Sequence, residues 1–318
     1  MKIAWELRSL LKRHLWIVTG KGGVGKTSLA AALGLLAASE GLKVLLVETH
    51  GLTHLGDLLQ VGSVGYEPKK VRNNLSLVQI TPEAAFKEYV LQQVRFSFVY
   101  DTVFKNRYVR HFVEGAPGLT ELLTIGKIWA LVEQQAQKGK RRPYDLVVVD
   151  APSTGHGLSM LTISQVVVDA VRMGPLHSKA KDILDLLRNP QKTLVWLVTL
   201  PEEMPVNEAA ELEEKLESQA KMELGPVLLN SVWPSLLNRE AEEEWRQAQP
   251  GNGMLQAYRR RRETSDFYAD KLKERMFQKQ ILELPLVYQT QAPLKIAERL
   301  MQAIKQELLA EGENAVPH

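Results

Sequence analysis

Residues 20–27 read GKGGVGKT, and their types and spacing suit the binding of a phosphate chain. They match the pattern G-x-x-x-x-G-K-S/T, in which Gly20, Gly25, Lys26 and Thr27 occupy the fixed positions. In such a loop, backbone N–H groups and the N-terminus of the following helix surround the phosphates of a nucleotide. An apolar run precedes the loop and an Ala/Leu-rich helical run follows it, as the pattern requires. The sequence therefore predicts a nucleoside triphosphate site.

The pattern also predicts roles for single side chains. Lys26 is expected to reach the β- and γ-phosphates, and the Thr27 hydroxyl is expected to ligate Mg²⁺. Asp150 ends the apolar run LVVVD, where a carboxylate can hold the water shell of the metal. The alternative is that Asp150 only caps the next helix. The remaining loop residues expected at the nucleotide are Lys21, Gly22, Gly23, Val24 and Ser28.

The segment after Asp150 reads APSTGHGLSML. A proline, two glycines and small residues beside a γ-phosphate suit a loop that changes conformation with the nucleotide state. Its candidate functional residues are Pro152, Gly155 and His156. His156 is interpreted as a catalytic base or as a structural hydrogen-bonding group, and the second interpretation is favoured.

Apolar runs separated by helical segments predict the elements that position these residues. The runs that read as strands are residues 15–19, 43–48, 75–80, 146–150, 193–200 and 226–230. Continuous apolar runs of this kind are typical of parallel strands that are covered on both faces. The predicted fold is α/β, a doubly wound, mainly parallel sheet of the P-loop NTPase type, with ligands beyond the carboxyl ends of its strands.

Other stretches do not fit a simple alternation of strand and helix. Residues 82–137, 170–190 and 239–279 are expected to form a helical subdomain inserted into a single domain of residues 1–318. Its candidate apolar surface consists of Met160, Met173, Phe86, Tyr89, Val90, Phe96, Phe98, Tyr100, Phe104, Tyr108 and Phe112. These side chains either belong to the core or line a groove for a hydrophobic client helix, and the core interpretation is favoured.

Composition narrows the classes of function. The formal net charge of +3 gives no case for a nucleic-acid partner, and the basic run 259–262 reads as a solvated helix face because acidic residues follow it. The chain has no cysteine, which excludes disulfides, cysteine-ligated zinc and thiol catalysis.

Residues 1–14 are too charged for a secretion signal and are expected to form a short amphipathic helix that packs on the body. No apolar run is long enough to span a bilayer, so a cytoplasmic protein is expected.

The extra Lys21, together with DAPSTGHGLSML at residues 150–161, resembles the arsenite-pump and tail-anchored-protein-targeting ATPases, a deviant-Walker-A family. PEEMPVNEA at 201–209, Asn230 and ELPLVYQTQAP at 283–293 follow in the order of that family. The resemblance covers about residues 15–308. It implies ATP and Mg²⁺ as cofactors, hydrolysis of ATP to ADP and phosphate, and a dimer that closes around nucleotide.

The resemblance also implies roles for individual residues. Lys21 would be the signature lysine, which reaches across a face-to-face dimer to the partner's nucleotide as an arginine finger does. Asn230 would hydrogen-bond the adenine edge, with Pro285 and Leu286 beside the base. Glu202 stands where the family has an acidic residue at the nucleotide site. From the residues alone, Asn230 is only an asparagine at a strand end.

The chain departs from the family after the second strand, where His50 stands in place of an expected aspartate. A histidine cannot hold hydrated Mg²⁺ as a carboxylate does. Three alternatives remain open. Glu48 supplies the carboxylate from two residues earlier, or His50 orients water and hydrolysis is slow. In the third, the subunit binds ATP without cleaving it efficiently. We expect slow turnover. The family's zinc and metalloid sites are not expected, because their cysteines are absent.

The sequence thus predicts a Mg-ATP-dependent switch that forms a homodimer, or a heterodimer with a related ATPase. The alternative is a regulatory or scaffold subunit whose ATP is structural and is not hydrolysed. A kinase-like phosphotransferase is the least favoured interpretation, because no lid-arginine pattern accompanies the loop.

Overall fold

A computed structural model of the protein describes residues 5–49, 54–93, 117–235, 253–288 and 292–314. Its strands are β1 (Leu15–Gly20), β2 (Val44–Glu48), β3 (Lys69–Arg72), β4 (Leu75–Gln79), β5 (Leu146–Asp150), β6 (Thr193–Thr199), β7 (Leu224–Val232) and β8 (Ile281–Pro285). Its helices are α1 (Leu7–Leu10), α2 (Lys26–Ser39), α3 (His54–Leu58), α4 (Pro82–Gln93), α5 (Leu119–Gln137), α6 (Thr154–Ala170), α7 (Pro175–Arg188), α8 (Glu203–Lys215), α9 (Gly253–Arg275) and α10 (Pro293–Asn314). A π-helical turn, Leu216–Ala220, continues α8.

The strands form an eight-stranded sheet in the order β3-β4-β2-β5-β1-β6-β7-β8. Neighbouring strands are parallel, except that β3 runs antiparallel to β4. β5 lies between β1 and β2, so Val18, Glu48 and Asp150 are level with one another at the carboxyl edge. Ligands of open α/β sheets bind beyond this edge. The predicted α/β, mainly parallel fold is confirmed.

Helices cover both faces of the sheet, because alternate residues of each buried strand point to opposite sides. Trp16 and Val18 belong to a core with α2 and α10, whereas Ile17 belongs to a second core with α5 to α9. α2 is buried along most of its length, which explains why its sequence, KTSLAAALGLLAAS, is apolar on nearly every side. Both faces of β1 are therefore packed, and the loop that follows it starts from a rigid strand.

The predicted strands are confirmed to within about two residues at each end. The sequence did not predict β3 or β8. β3 is an edge strand with the sequence KKVR, mostly exposed, and its charges are typical of an edge that resists pairing with another chain. Among the described strands, the short β8 pairs with β7 alone. Of the N-terminal segment predicted to be helical, the described residues form the single turn α1, and residues 1–4 lie outside them.

The stretches expected to form a helical subdomain are helical as α4, α5, α7 and α9. Residues 94–116 and 239–252 lie outside the described residues. They include six aromatic residues of the candidate apolar surface, at positions 96, 98, 100, 104, 108 and 112. Trp129 of α5 and Leu272 of α9 belong to the core on the sheet face. Met160 is also buried, whereas Met173 is 81% exposed and is not a core residue. The division into a domain and an inserted subdomain remains a prediction.

No helix among the described residues combines the length and the hydrophobicity that crossing a bilayer requires.

Candidate functional site

The GKGGVGKT loop joins β1 to α2 at the carboxyl edge of the sheet. Gly23 and Gly25 have φ angles of 85° and 93°, in the left-handed region that strains other residues. A Cβ atom on Gly20 would lie 2.3 Å from the main-chain oxygen of Val198 in β6. The glycines of the motif are therefore required by the path of the backbone and by its close approach to the neighbouring strand.

Lys26 is the first residue of α2 and is only 8% exposed. Its ammonium donates a hydrogen bond to the main-chain oxygen of Lys21 at 2.8 Å, which closes the loop on itself. Burial lowers the pKa of Lys26, and the negative charge of Asp150 partly opposes that change. An ammonium group has three donors, so one contact leaves others for an anion. The arrangement offers a buried positive charge to a phosphate chain.

Thr27 and Asp150 form the second half of the site. The Thr27 hydroxyl donates a hydrogen bond to Asp150 Oδ2 at 2.7 Å. Asp150 is 1% exposed, and its Oδ1 has no hydrogen-bond partner among the described residues. Burial raises the pKa of Asp150 to about 6, although the Thr27 hydrogen bond and the charge of Lys26 lower it. Burying a charged carboxylate in this way costs free energy unless a cation compensates its charge.

The donor set fits a magnesium ion. Mg²⁺ binds through one or two side-chain oxygens and completes its shell with water and phosphate oxygens. Thr27 Oγ1 and the unpartnered Asp150 Oδ1 are oxygens of this kind, next to the loop that would hold phosphates. The described residues contain no cluster of three or more His, Cys, Asp or Glu side chains, so an all-protein metal cage is not what these residues build.

Glu48 brings a second buried carboxylate to the same edge, because it pairs in register with Asp150. Its Oε1 accepts a hydrogen bond from the Leu55 N–H in the first turn of α3 at 3.0 Å. Its Oε2 is buried and has no partner among the described residues. Burial raises the pKa of Glu48, and the charge of Asp150 adds to that effect. His50 lies outside the described residues.

The Lys21 side chain contacts a helix of its own chain. Its ammonium lies 2.7 Å from Glu208 Oε1 in α8, and the two side chains are 31% and 33% exposed. Glu208 lies in the segment PEEMPVNEA, but sequence reasoning did not single it out, because nothing in the local pattern links α8 to the loop. The signal that could have found it is an acidic residue in a helix that follows a strand next to β1.

Asn230 contacts the loop directly. Its Nδ2 donates a hydrogen bond to the main-chain oxygen of Val24 at 2.9 Å. A Cβ atom on Gly25 would lie 2.4 Å from the same Nδ2, so the glycine makes room for this contact. The family resemblance places Asn230 near the base, and its bond to the loop is not predicted from the sequence. Val24 and Asn230 are far apart in the chain, and only the adjacency of β1, β6 and β7 brings them together.

The other residues expected near the base lie at the same edge. Pro285 ends β8 level with Val232 of β7, and the Leu286 N–H donates a hydrogen bond to the main-chain oxygen of Val232 at 2.8 Å. Glu202 is exposed and immediately precedes α8. The three residues therefore lie at the carboxyl edge of the sheet, on the side of β6, β7 and β8.

The segment after Asp150 leads directly into α6. A Cβ atom on Gly157 would lie 2.7 Å from the main-chain oxygen of Pro152, so this turn is tight. Gly155 and His156 are exposed, and His156 Nδ1 lies 3.3 Å from Glu121 Oε1 in the first turn of α5. The segment thus joins the carboxylate of the site to a helix that packs on the sheet.

Three features together define a P-loop NTPase. They are a mainly parallel sheet, a glycine-rich loop that leads from a central strand into a helix, and a Thr–Asp pair beside that loop. The family model described as an anion-transporting ATPase matches residues 13–174. The chain belongs to this family and is a nucleotide-binding ATPase, so the family predicted from the two motifs is confirmed.

Individual relatives agree with this assignment. The ATPase BagA of Mycobacterium tuberculosis is 35% identical over 240 residues, which cover 74% of this chain and 69% of BagA. The arsenical pump-driving ATPase of Escherichia coli is 31% identical over 221 residues, which cover 69% of this chain and 35% of that protein. The ATPase ASNA1 homolog of Entamoeba dispar is 27% identical over 259 residues, which cover 69% and 76% of the two chains.

The raised pKa of Asp150 predicts how the stability of the nucleotide-free protein depends on pH. Between about pH 4 and pH 6 the folded chain holds a proton that the unfolded chain releases, because the pKa rises from 3.8 to about 6 on folding. The free energy of unfolding should therefore decrease as pH rises through this window, by about 3 kcal/mol at most from this group. Urea denaturation at a series of pH values measures the slope.

Asp150→Asn should reduce that slope and stabilise the nucleotide-free protein at pH 7, because the buried charge is removed. Asp169→Asn, on the exposed side of α6, is the matched control and should leave the slope unchanged. The residual slope in Asp150→Asn is expected to come in part from Glu48. Equal slopes for wild type and Asp150→Asn would contradict the assignment.

Proposed function

We propose that this ATPase is a Mg-ATP-dependent switch in which two subunits close face to face around nucleotide. The observation that supports it best is the Thr27–Asp150 pair, with one unpartnered carboxylate oxygen, beside the buried ammonium of Lys26. These groups together suit a magnesium triphosphate. The absence of cysteine suits a reducing compartment such as the cytoplasm.

Each residue of the site has a proposed role. Lys26 neutralises the β- and γ-phosphates, and Thr27 with Asp150 holds Mg²⁺, whose charge stabilises the negative charge that develops during phosphoryl transfer. Asn230 uses its Nδ2 to hold the loop, which leaves Oδ1 to accept a hydrogen bond from the adenine amino group. The other residues proposed to contact or flank the nucleotide are Gly20, Lys21, Gly22, Gly23, Val24, Gly25, Ser28, Glu202, Pro285 and Leu286.

Glu48 is proposed to supply the carboxylate that the family places at the position of His50. Its unpartnered Oε2 lies at the end of β2, next to Asp150, where it can orient an attacking water. The other oxygen is already used to hold α3 through Leu55. Because one side chain then serves two purposes, hydrolysis is expected to be slow. Pro152, Gly155 and His156 carry the change of nucleotide state to α5 and α6.

Lys21 is proposed to act in trans on the partner's nucleotide, in a homodimer or in a heterodimer with a related ATPase. A second ammonium at the γ-phosphate would stabilise the transition state and would make closure depend on nucleotide. The alternative, a scaffold subunit with structural ATP, requires the same nucleotide site but no turnover. Phosphate release over many turnovers separates the two.

The two lysines of the loop should respond differently to substitution. Lys26→Ala should weaken Mg-ATP binding by tenfold or more, because it removes the buried charge at the phosphates. Lys21→Ala should leave affinity within about threefold but reduce dimerisation and turnover. Calorimetry, light scattering and phosphate release measure the three quantities. Lys181→Ala, at an exposed position of α7, is the control, and equal small effects of both loop variants would contradict these roles.

Substitutions at the second strand test the slow-hydrolysis proposal. Glu48→Gln should lower turnover at least tenfold with little change in ATP affinity, because its amide oxygen can still accept the Leu55 hydrogen bond but cannot act as a carboxylate. His50→Asp should increase turnover, since it restores the family's carboxylate. Phosphate release at saturating Mg-ATP provides the measurement. Full activity of Glu48→Gln would exclude a catalytic role for this residue.

A hydrophobic client is the proposed output of the switch. Helices α4, α5 and α7 surround a cavity of about 610 Å³ that is mostly apolar. Its apolar lining includes Ala85, Leu119, Leu122, Leu123, Trp129 and Ile183. Glu121 belongs to α5 and contacts His156 of the segment after Asp150. A change at the nucleotide that moves this segment would therefore alter the width of the cavity.

The client proposal predicts binding of a labelled helical peptide of about 20 apolar residues. Leu122→Asp should weaken that binding by about tenfold, because it brings a charge into the cavity, while Leu309→Asp on an exposed face of α10 should not. Fluorescence anisotropy measures the affinity, and circular dichroism verifies folding. Equal affinities for the two variants would count against this client site.

A further inference from the structure

We infer that Glu208 restrains Lys21 in the nucleotide-free chain, so that this ion pair must break before Lys21 can act on a partner's nucleotide. The inference rests on the proposed role of Lys21 in trans and adds to it a positioning residue in α8. The ammonium of Lys21 lies 2.7 Å from Glu208 Oε1, within the same chain. The Lys21 ammonium is therefore already engaged within its own chain.

Glu208 is held in place by the packing of α8. Val206 and Ala209, on either side of it, are buried against the sheet, as is Leu212 one turn later. Asn207 also accepts a hydrogen bond from Arg275 Nη1 of α9 at 2.5 Å. The carboxylate therefore sits on a helix that packs on the sheet and bonds to α9.

Lys21 is held at both ends but by contacts that a nucleotide would compete for. Its main-chain oxygen accepts the hydrogen bond of Lys26 at 2.8 Å, and its ammonium pairs with Glu208. Gly20 and Gly23, at φ angles of 151° and 85°, flank the residue and lower the cost of changing the backbone. Phosphates that draw the Lys26 ammonium toward them would weaken the first contact, and the ion pair with Glu208 would remain as the restraint.

The Lys21–Glu208 ion pair is weak enough to disfavour dimer closure without preventing it. Both side chains are about one-third exposed, so water and salt screen the attraction and the pair is weak. A triphosphate carries more negative charge than one carboxylate and can displace it. Monomers without nucleotide would thus keep Lys21 paired, and spontaneous closure of two empty subunits would be disfavoured.

Glu208→Gln tests the inference because it keeps the shape of the side chain and removes its charge. Two such pairs break per dimer, so the variant should dimerise about 2- to 30-fold more tightly at saturating Mg-ATP. Analytical ultracentrifugation with a non-hydrolysable ATP analogue and Mg²⁺ measures the dissociation constant. Glu211→Gln is the control, since Glu211 is exposed one turn away in α8 and pairs only weakly with Lys215 at 3.7 Å.

A second measurement addresses the contact without any dimer. Acylation of Lys21 by an amine-reactive ester, followed by mass spectrometry of the nucleotide-free chain, should be faster in Glu208→Gln than in wild type and in Glu211→Gln. In a Lys21→Ala background, Glu208→Gln should no longer change dimerisation. The double variant therefore separates the ion pair from a general effect of charge.

The outcomes distinguish this inference from the proposed function. Faster acylation together with tighter dimers supports the restraint. Unchanged acylation, or faster acylation with unchanged or weaker dimers, overturns it even if wild type dimerises normally with Mg-ATP. If neither wild type nor Glu208→Gln dimerises at saturating nucleotide, the dimeric switch itself is wrong and no restraint on it exists.

Discussion

Burial of a carboxylate at the centre of the sheet is the constraint on which the rest of the site depends. Asp150 lies at the end of β5, between β1 and β2, where water cannot reach it. One of its oxygens is satisfied by Thr27 and the other is left without a partner. The nearby charge of Lys26 offsets only part of the cost of burying this carboxylate, and a bound cation would offset more of it.

The same constraint explains why the loop is built from glycine. For Lys26 and Thr27 to stand above Asp150, the backbone must leave β1, pass close to β6 and turn into α2 within a few residues. Side chains at Gly20 and Gly25 would collide with Val198 and Asn230. Rigid strands on both sides and buried helices on both faces hold this path, so the loop does not need its own extensive hydrogen bonding.

Polar side chains around this centre connect it to separate helices. Glu48 links the carboxylate edge to α3, His156 links it to α5, and Lys21 links the loop to α8. Each link is a single polar contact between the phosphate site and a separate helix. A change in charge at the nucleotide site would therefore act on contacts to three helices.

The sequence by itself determined the glycine-rich loop, the buried strands and the family, because these features are encoded locally. Fixed spacings and continuous apolar runs encode them without reference to distant residues. Only the tertiary structure decided that Asn230 holds Val24, that Glu208 pairs with Lys21 and that β3 forms an edge. These depend on which strands become neighbours, and a short polar segment carries no local signal for a partner that is distant in the chain.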